Sequence, residues 1–133
     1  MTTYFSISDA NKILPSVIKK FNYSKMLKNE IIKMEKQMSL DLTSKTSMKD
    51  YIILKQKLNT KVTEFYKSIE DLESIGVVLK GLEQGLLDFP AKRFDEEIWL
   101  CWKEGETEIK FWHEKDSGFM GRKPISVSTE SLV

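Results

Sequence analysis

His113, Glu114 and Asp116 set an imidazole and two carboxylates within four residues of one another, the densest group of metal-ligand atoms in the chain. One imidazole with carboxylates suits a hard or borderline divalent ion such as Mn, Fe or Zn better than Cu(I). Neighbouring side chains on a strand point to opposite faces, so joining His113 to Glu114 needs the strand to end or bulge there. A further carboxylate, Asp88 or Glu106, or a residue of a second subunit, would complete the set. The competing reading is structural, with His113 closing an apolar face by bonding a backbone carbonyl or Asp116. No cofactor is certain on these grounds; a divalent metal ion is the one the residues suggest.

Other chemistry-bearing side chains lie nearby. Cys101 stands between Leu100 and Trp102 on a strand, where a free cysteine ordinarily acts as a small buried hydrophobe. As a nucleophile it would need an adjacent base, and the pairing expected below puts His113 on the opposite face. Trp99 and Trp112, expected as a cross-strand pair beside Lys110, could stack a planar ligand or simply pack. Gly118-Phe-Met-Gly-Arg122 reads as a tight loop that either presents Arg122 to a small anion or closes the fold through a salt bridge to Asp88 or Asp116. It lacks the Gly-Lys-Ser/Thr ending of a phosphate loop. The candidate binding residues are therefore Asp88, Trp99, Glu106, Trp112 and Arg122, and the candidate metal ligands are His113, Glu114 and Asp116.

Strands and turns must carry these groups. All three tryptophans, all six glycines, the one histidine and the one cysteine fall between Gly76 and Arg122, in short β-branched and aromatic runs broken by turn residues. Val77 to Lys80 and Gly85 to Phe89 read as short strands. Glu97 to Lys103 and Glu108 to Glu114 read as a hairpin turning through residues 104–107. If Lys103 pairs with Glu108, one face holds Trp102 opposite Ile109, Leu100 opposite Phe111 and Ile98 opposite His113. The other then holds Cys101 opposite Lys110 and Trp99 opposite Trp112.

Before Gly76 the language is helical. Ser8 as cap with Asp9 in the first turn starts a helix expected to reach about Leu40, kinked around Asn11 to Pro15. Its apolar set Ala10, Ile13, Leu14, Val17 and Phe21 passes to a rotated set, Leu27, Ile31, Met34 and Met38, which predicts a twist or break near residues 22–24. Residues 41–47 form a polar loop. Ser47 with Asp50 then starts a second helix whose apolar stripe, from Tyr51 to Ile75, steps by threes and fours in a coiled-coil-like pattern up to a cap at Gly76. The expectation is an α+β single domain over residues 1–133: a long antiparallel helical hairpin (8–75, kinked at Pro15) followed by a small antiparallel sheet (77–122) that carries the site.

A hairpin of that length exceeds what a small sheet can cover, so its stripe is expected to bury itself in a homodimer or higher oligomer. No run of about 18 apolar residues spans a membrane, and a single cysteine fits a reducing compartment, so a cytoplasmic protein is expected. Net charge is +1, split as 13 Lys against 9 acids before Gly76 and 8 basic against 11 acidic residues from it onward. The helical half has no Arg for bidentate phosphate contacts and the site half is acidic, which argues against a nucleic-acid partner.

Three blocks carry a resemblance: Phe5-Ser-Ile-Ser-Asp-Ala-Asn-Lys-Ile-Leu-Pro15, Leu100-Cys-Trp-Lys-Glu-Gly-Glu106, and Trp112-His-Glu-Lys-Asp-Ser-Gly-Phe-Met-Gly-Arg122. Together with Asp88-Phe-Pro90 they resemble a family of short bacterial and archaeal proteins known only as a domain of unknown function. That family opens Phe-Thr-x-x-Glu-Ala-Asn-x-x-Leu-Pro; Asp9 stands where Glu is usual, leaving the cap chemistry intact. The resemblance implies that Asp88, Cys101, Glu106, His113, Glu114, Asp116, Gly118 and Arg122 fall on motif positions, and it implies no reaction. Two functional expectations follow: a self-associating interaction or small-ligand-binding protein, with a protein partner or small anion, and a small metal-dependent enzyme, of which a hydrolase is the most conceivable form.

Overall fold

In the computed structural model, which describes residues 2–43 and 47–125, two long helices precede a five-stranded antiparallel sheet. Helix α1 runs Ile7–Thr43 and α2 runs Met48–Glu73; the strands are β1 Val78–Gly81, β2 Leu86–Arg93, β3 Glu96–Lys103, β4 Phe111–Glu114 and β5 Lys123–Pro124, in the spatial order β1-β2-β3-β4-β5. The expected α+β arrangement of helical hairpin and small sheet is the one found. No helix among the described residues is long and apolar enough to cross a membrane. By contacts the chain divides into two compact units, residues 20–71 and residues 1–19 with 72–133.

The unit of residues 20–71 is made of the two helix arms. The α1 arm buries Phe21, Ser24, Leu27 and Ile31, three- and four-residue steps along one face. The break expected at residues 22–24 does not occur: α1 is continuous there. Ser24, fully buried, fills the step where an apolar side chain was sought, its hydroxyl 2.7 Å from that of buried Ser68. The Ser68 hydroxyl also donates to the Phe65 carbonyl at 2.6 Å. A paired hydroxyl can occupy a core position because its hydrogen bonds offset its desolvation. Of the polar loop expected over residues 41–47, residues 41–43 belong to α1 and residues 44–46 lie outside the described residues.

The second unit opens with a cap two residues earlier than the sequence suggested. The Ser6 hydroxyl, not Ser8, accepts the Asp9 amide at 3.0 Å, because α1 starts at Ile7 and the acceptor must precede the first turn. Asn11 Oδ1 accepts the Ile109 amide at 2.6 Å, so the first turns of α1 are tied to the strand region. Pro15 lies within α1, which continues on both sides of it. At the end of α2, Gly76 adopts φ 113° and donates to the Glu73 carbonyl, a left-handed C-cap that only glycine takes without strain.

One face of the sheet is an apolar core: Leu87, Phe89 and Ala91 of β2, Ile98, Leu100 and Trp102 of β3, and Trp112 of β4 are buried. Phe5 meets Phe89 edge to face, with ring centres 5.4 Å apart. Its amide donates to the Pro90 carbonyl at 2.7 Å. In a strand the carbonyl and amide of one residue point to the same side, so the ring nitrogen of Pro90 faces that same margin of β2. β2 and β3 join through Phe94 and Asp95, both at positive φ (51° and 66°), as a two-residue type I′ turn requires.

The pairing of β3 with β4 differs by one residue from the expected register. Trp99 lies opposite His113, Leu100 opposite Trp112, and Cys101 opposite Phe111. The connection is longer and more irregular than a turn over residues 104–107, and β4 begins only at Phe111. Glu106 sets its shape: its carboxylate accepts the Lys103 amide at 2.7 Å and its carbonyl accepts the Trp102 indole N–H at 2.8 Å. A one-residue slip moves every side chain to the other face. Trp112 therefore joins the apolar core, and His113 moves to the face of Cys101.

Candidate functional site

The slip assembles a site that the sequence did not reveal. β2 and β3 place Asp88 directly opposite Cys101. β4 brings His113 to the same face, and the imidazole Nε2 lies 2.9 Å from Asp88 Oδ2. All three residues are buried, and their ligand atoms lie within 4.8 Å of one another. They floor a cavity of about 120 Å³ whose walls are Leu86, Trp99 and Phe119 with Lys80 and Lys115.

The hydrogen bonds fix where the protons are. His113 Nδ1 lies 2.8 Å from the Glu114 carbonyl oxygen; a carbonyl only accepts, so Nδ1–H is the donor. Nε2 and Asp88 Oδ2 then need one proton between them, carried either as imidazolium and carboxylate or as imidazole and carboxylic acid. Burial raises the Asp88 carboxyl above its ordinary value, and this outweighs the lowering by the His113 charge and hydrogen bond. The Cys101 thiol is pushed up to about 12, first by burial and then by the nearby negative charge of Asp88. At pH 8 only on the order of one such thiol in ten thousand is ionised. Without a cation to stabilise the thiolate, Cys101 is a poor nucleophile.

The other predicted residues are placed differently. Glu114 is exposed and accepts Lys123 Nζ at 2.6 Å; as β4 alternates, its side chain points away from the face of His113. Asp116 is exposed in the turn after β4. The ligand atoms that the structure brings together among the described residues are those of Asp88, Cys101 and His113; Glu114 reaches the imidazole through its backbone carbonyl alone. Trp99 and Trp112 are not a cross-strand pair: Trp99 borders the cavity, while Trp112 is buried on the other face.

Arg122 does close the fold, but onto Glu106 and not onto Asp88 or Asp116. Its Nη2 donates to both Glu106 oxygens at 3.0 and 3.1 Å. Its guanidinium stacks 3.9 Å from the Phe111 ring centre and 4.8 Å from that of Phe119. The Gly118–Arg122 loop is thereby pinned, with the 3₁₀ turn Phe119–Gly121 setting Phe119 at the cavity. Neither Arg122 nor Glu106 lines the cavity. Lys80, which sequence reasoning passed over, does. It falls at an irregularity between Leu79 and Gly81 in the β1–β2 ladder, a feature with no residue-type signature in so short a strand.

Residues 3–125 match the family described as "Uncharacterized conserved protein (DUF2203)". No curated protein and no solved structure matches the chain significantly. The chain belongs to the DUF2203 family, as the spacing of its opening and closing blocks led one to expect.

Proposed function

We propose that this DUF2203 member is a divalent-metal-binding protein, with Asp88, Cys101 and His113 as ligands and a fourth coordination position facing the cavity. The observation that carries this reading is the posture of His113. Its Nδ1 is held by a backbone carbonyl and its Nε2 is aimed at a carboxylate, with a thiol within 4.8 Å. A backbone carbonyl on the far nitrogen is the usual outer partner that orients a metal-bound imidazole.

Charge balance supports the same conclusion. Without metal the pocket holds a thiol and one proton shared between His113 and Asp88. With a divalent ion it would hold a thiolate, a carboxylate and a neutral imidazole. Either arrangement is neutral, which a buried site needs. A tetrahedral shell of mixed N, O and S donors separates them by roughly 3.3–3.6 Å, so the side chains need move only about an ångström. One sulfur, one nitrogen and one oxygen suit Zn²⁺ best. Three protein ligands with one open position are the pattern of catalytic rather than structural zinc, and such an ion supplies a bound water of lowered pKa for hydrolytic chemistry. A cytoplasmic location, where one free cysteine stays reduced, fits this reading.

Titrating the chelator-treated protein with Zn²⁺ in weak buffer tests it. One equivalent should bind with release of close to two protons, and the apparent affinity should rise by up to about a hundredfold per pH unit. Saturation without proton release, or no saturable binding, would exclude the site.

Self-association through the helices is a separate part of this proposal, favoured by exposed apolar side chains on the helical unit. Tyr23, Met26, Ile32, Ile52 and Ile53 are all more than 40% exposed, and apolar area of this kind invites a partner surface. Mass in solution should be that of a dimer or larger at micromolar concentration; a strict monomer would remove this part and leave the metal site untouched.

A further inference from the structure

We propose that the cavity over Asp88, Cys101 and His113 receives a small organic monoanion, a carboxylate with a flat apolar body, whose charge is met by Lys80. The inference rests on the metal reading for the ligand's second contact, at the open coordination position.

The walls suggest the shape of the ligand. Leu86, Trp99 and Phe119 are apolar, and about 120 Å³ admits a molecule on the order of ten non-hydrogen atoms. The cations suggest its charge. Lys115 is already paired with Glu97 at 2.6 Å. The Lys80 ammonium sits 4.3 Å over the Trp99 ring, and its charge reaches the Asp88 carboxyl. A cation held against an indole face keeps its position while its outer side stays free for an anion.

Backbone geometry accounts for the placement of Lys80. The register passes from Leu79 opposite Leu87 to Gly81 opposite Leu86, so Lys80 is the extra residue of the ladder. Such an insertion re-aims a side chain and is common beside active sites. The Lys80 charge is felt at Asp88, where it lowers the carboxyl against the effect of burial. A carboxylate spanning Lys80 and the open coordination position would therefore meet positive charge at both ends. Arg122, for which the sequence left either an anion or a closing salt bridge open, is occupied by Glu106.

The test compares benzoate with benzyl alcohol, which keeps the ring and loses the charge, on the zinc-loaded protein at fixed ionic strength, with zinc content measured on the same samples. Benzoate should bind at least about tenfold tighter. That preference should fall severalfold in Lys80→Met, where only the metal contact remains, and persist in full in Lys80→Arg, with zinc content unchanged in both variants. Zinc uptake with equal binding of the two probes, or a preference undiminished in Lys80→Met, overturns the anion site alone. Absence of zinc uptake overturns both this inference and the metal reading.

Discussion

Asp88→Asn should bind Zn²⁺ at least about a hundredfold more weakly than the wild type, yet melt no lower than it in the absence of metal. The two halves of this expectation share one cause. Asp88 is 3% exposed and its carboxyl is raised by burial, so holding it ionised at neutral pH costs the fold free energy. An asparagine amide keeps the hydrogen bond without the charge: it donates to His113 Nε2 while Nδ1–H continues to donate to the Glu114 carbonyl. The metal-free variant should therefore melt at the wild-type temperature or a few degrees above it. What is lost is an anionic ligand. Zinc competition against a chelating dye and melting in excess chelator measure the two effects. Wild-type zinc affinity would remove Asp88 from the site, and a large fall in melting temperature would show that its charge is structural.

His113→Ala should have the opposite balance, costing about 3–5 kcal/mol of stability at pH 7 because a buried carboxylate loses its partner. The sign of its pH dependence follows from Asp88. His113 lowers the Asp88 carboxyl by charge and hydrogen bond, so removing it lets burial raise that carboxyl further. A raised folded pKa contributes stability that is complete below the unfolded value of 3.8 and is lost as pH rises through the folded value. The cost of His113→Ala should therefore be largest at neutral pH and shrink as pH falls toward 4. Urea unfolding at pH 7 and pH 5 reads this directly. An equal cost at both would assign it to the space left by the ring, and Asp88→Asn/His113→Ala should recover part of a genuine charge penalty.

Much of the architecture was legible because it depends on local patterns. Three- and four-residue apolar spacing located both helices, and alternating aromatic and β-branched runs located the sheet. The site was only partly legible, because it turns on a single residue of register. Glu106 reaching back to the Lys103 amide and Asn11 holding the Ile109 amide from 98 residues away set where β4 begins. Local pairing rules encode neither contact. The expected pairing puts Cys101 on the face opposite His113, whereas the structure sets both beside Asp88, and Glu114, adjacent to His113 in sequence, points away. Ser24 shows a similar limit in the helices: a search for apolar residues passes over a buried hydroxyl whose partner, Ser68, lies on the other helix.

Two of the chain's three prolines stand at the margins of the sheet, where a missing N–H bears on strand addition. Pro90 presents no N–H at its margin of β2, where Phe5 already occupies its carbonyl. On the far side, β5 is only two residues long and ends in Pro124 beside Lys123. β1, the other outer strand, is short and interrupted at Lys80. An incoming strand would find missing donors, a filled acceptor and lysine charge, the devices by which natural sheets resist edge-to-edge growth. Edge-to-edge recruitment through this sheet is thus disfavoured.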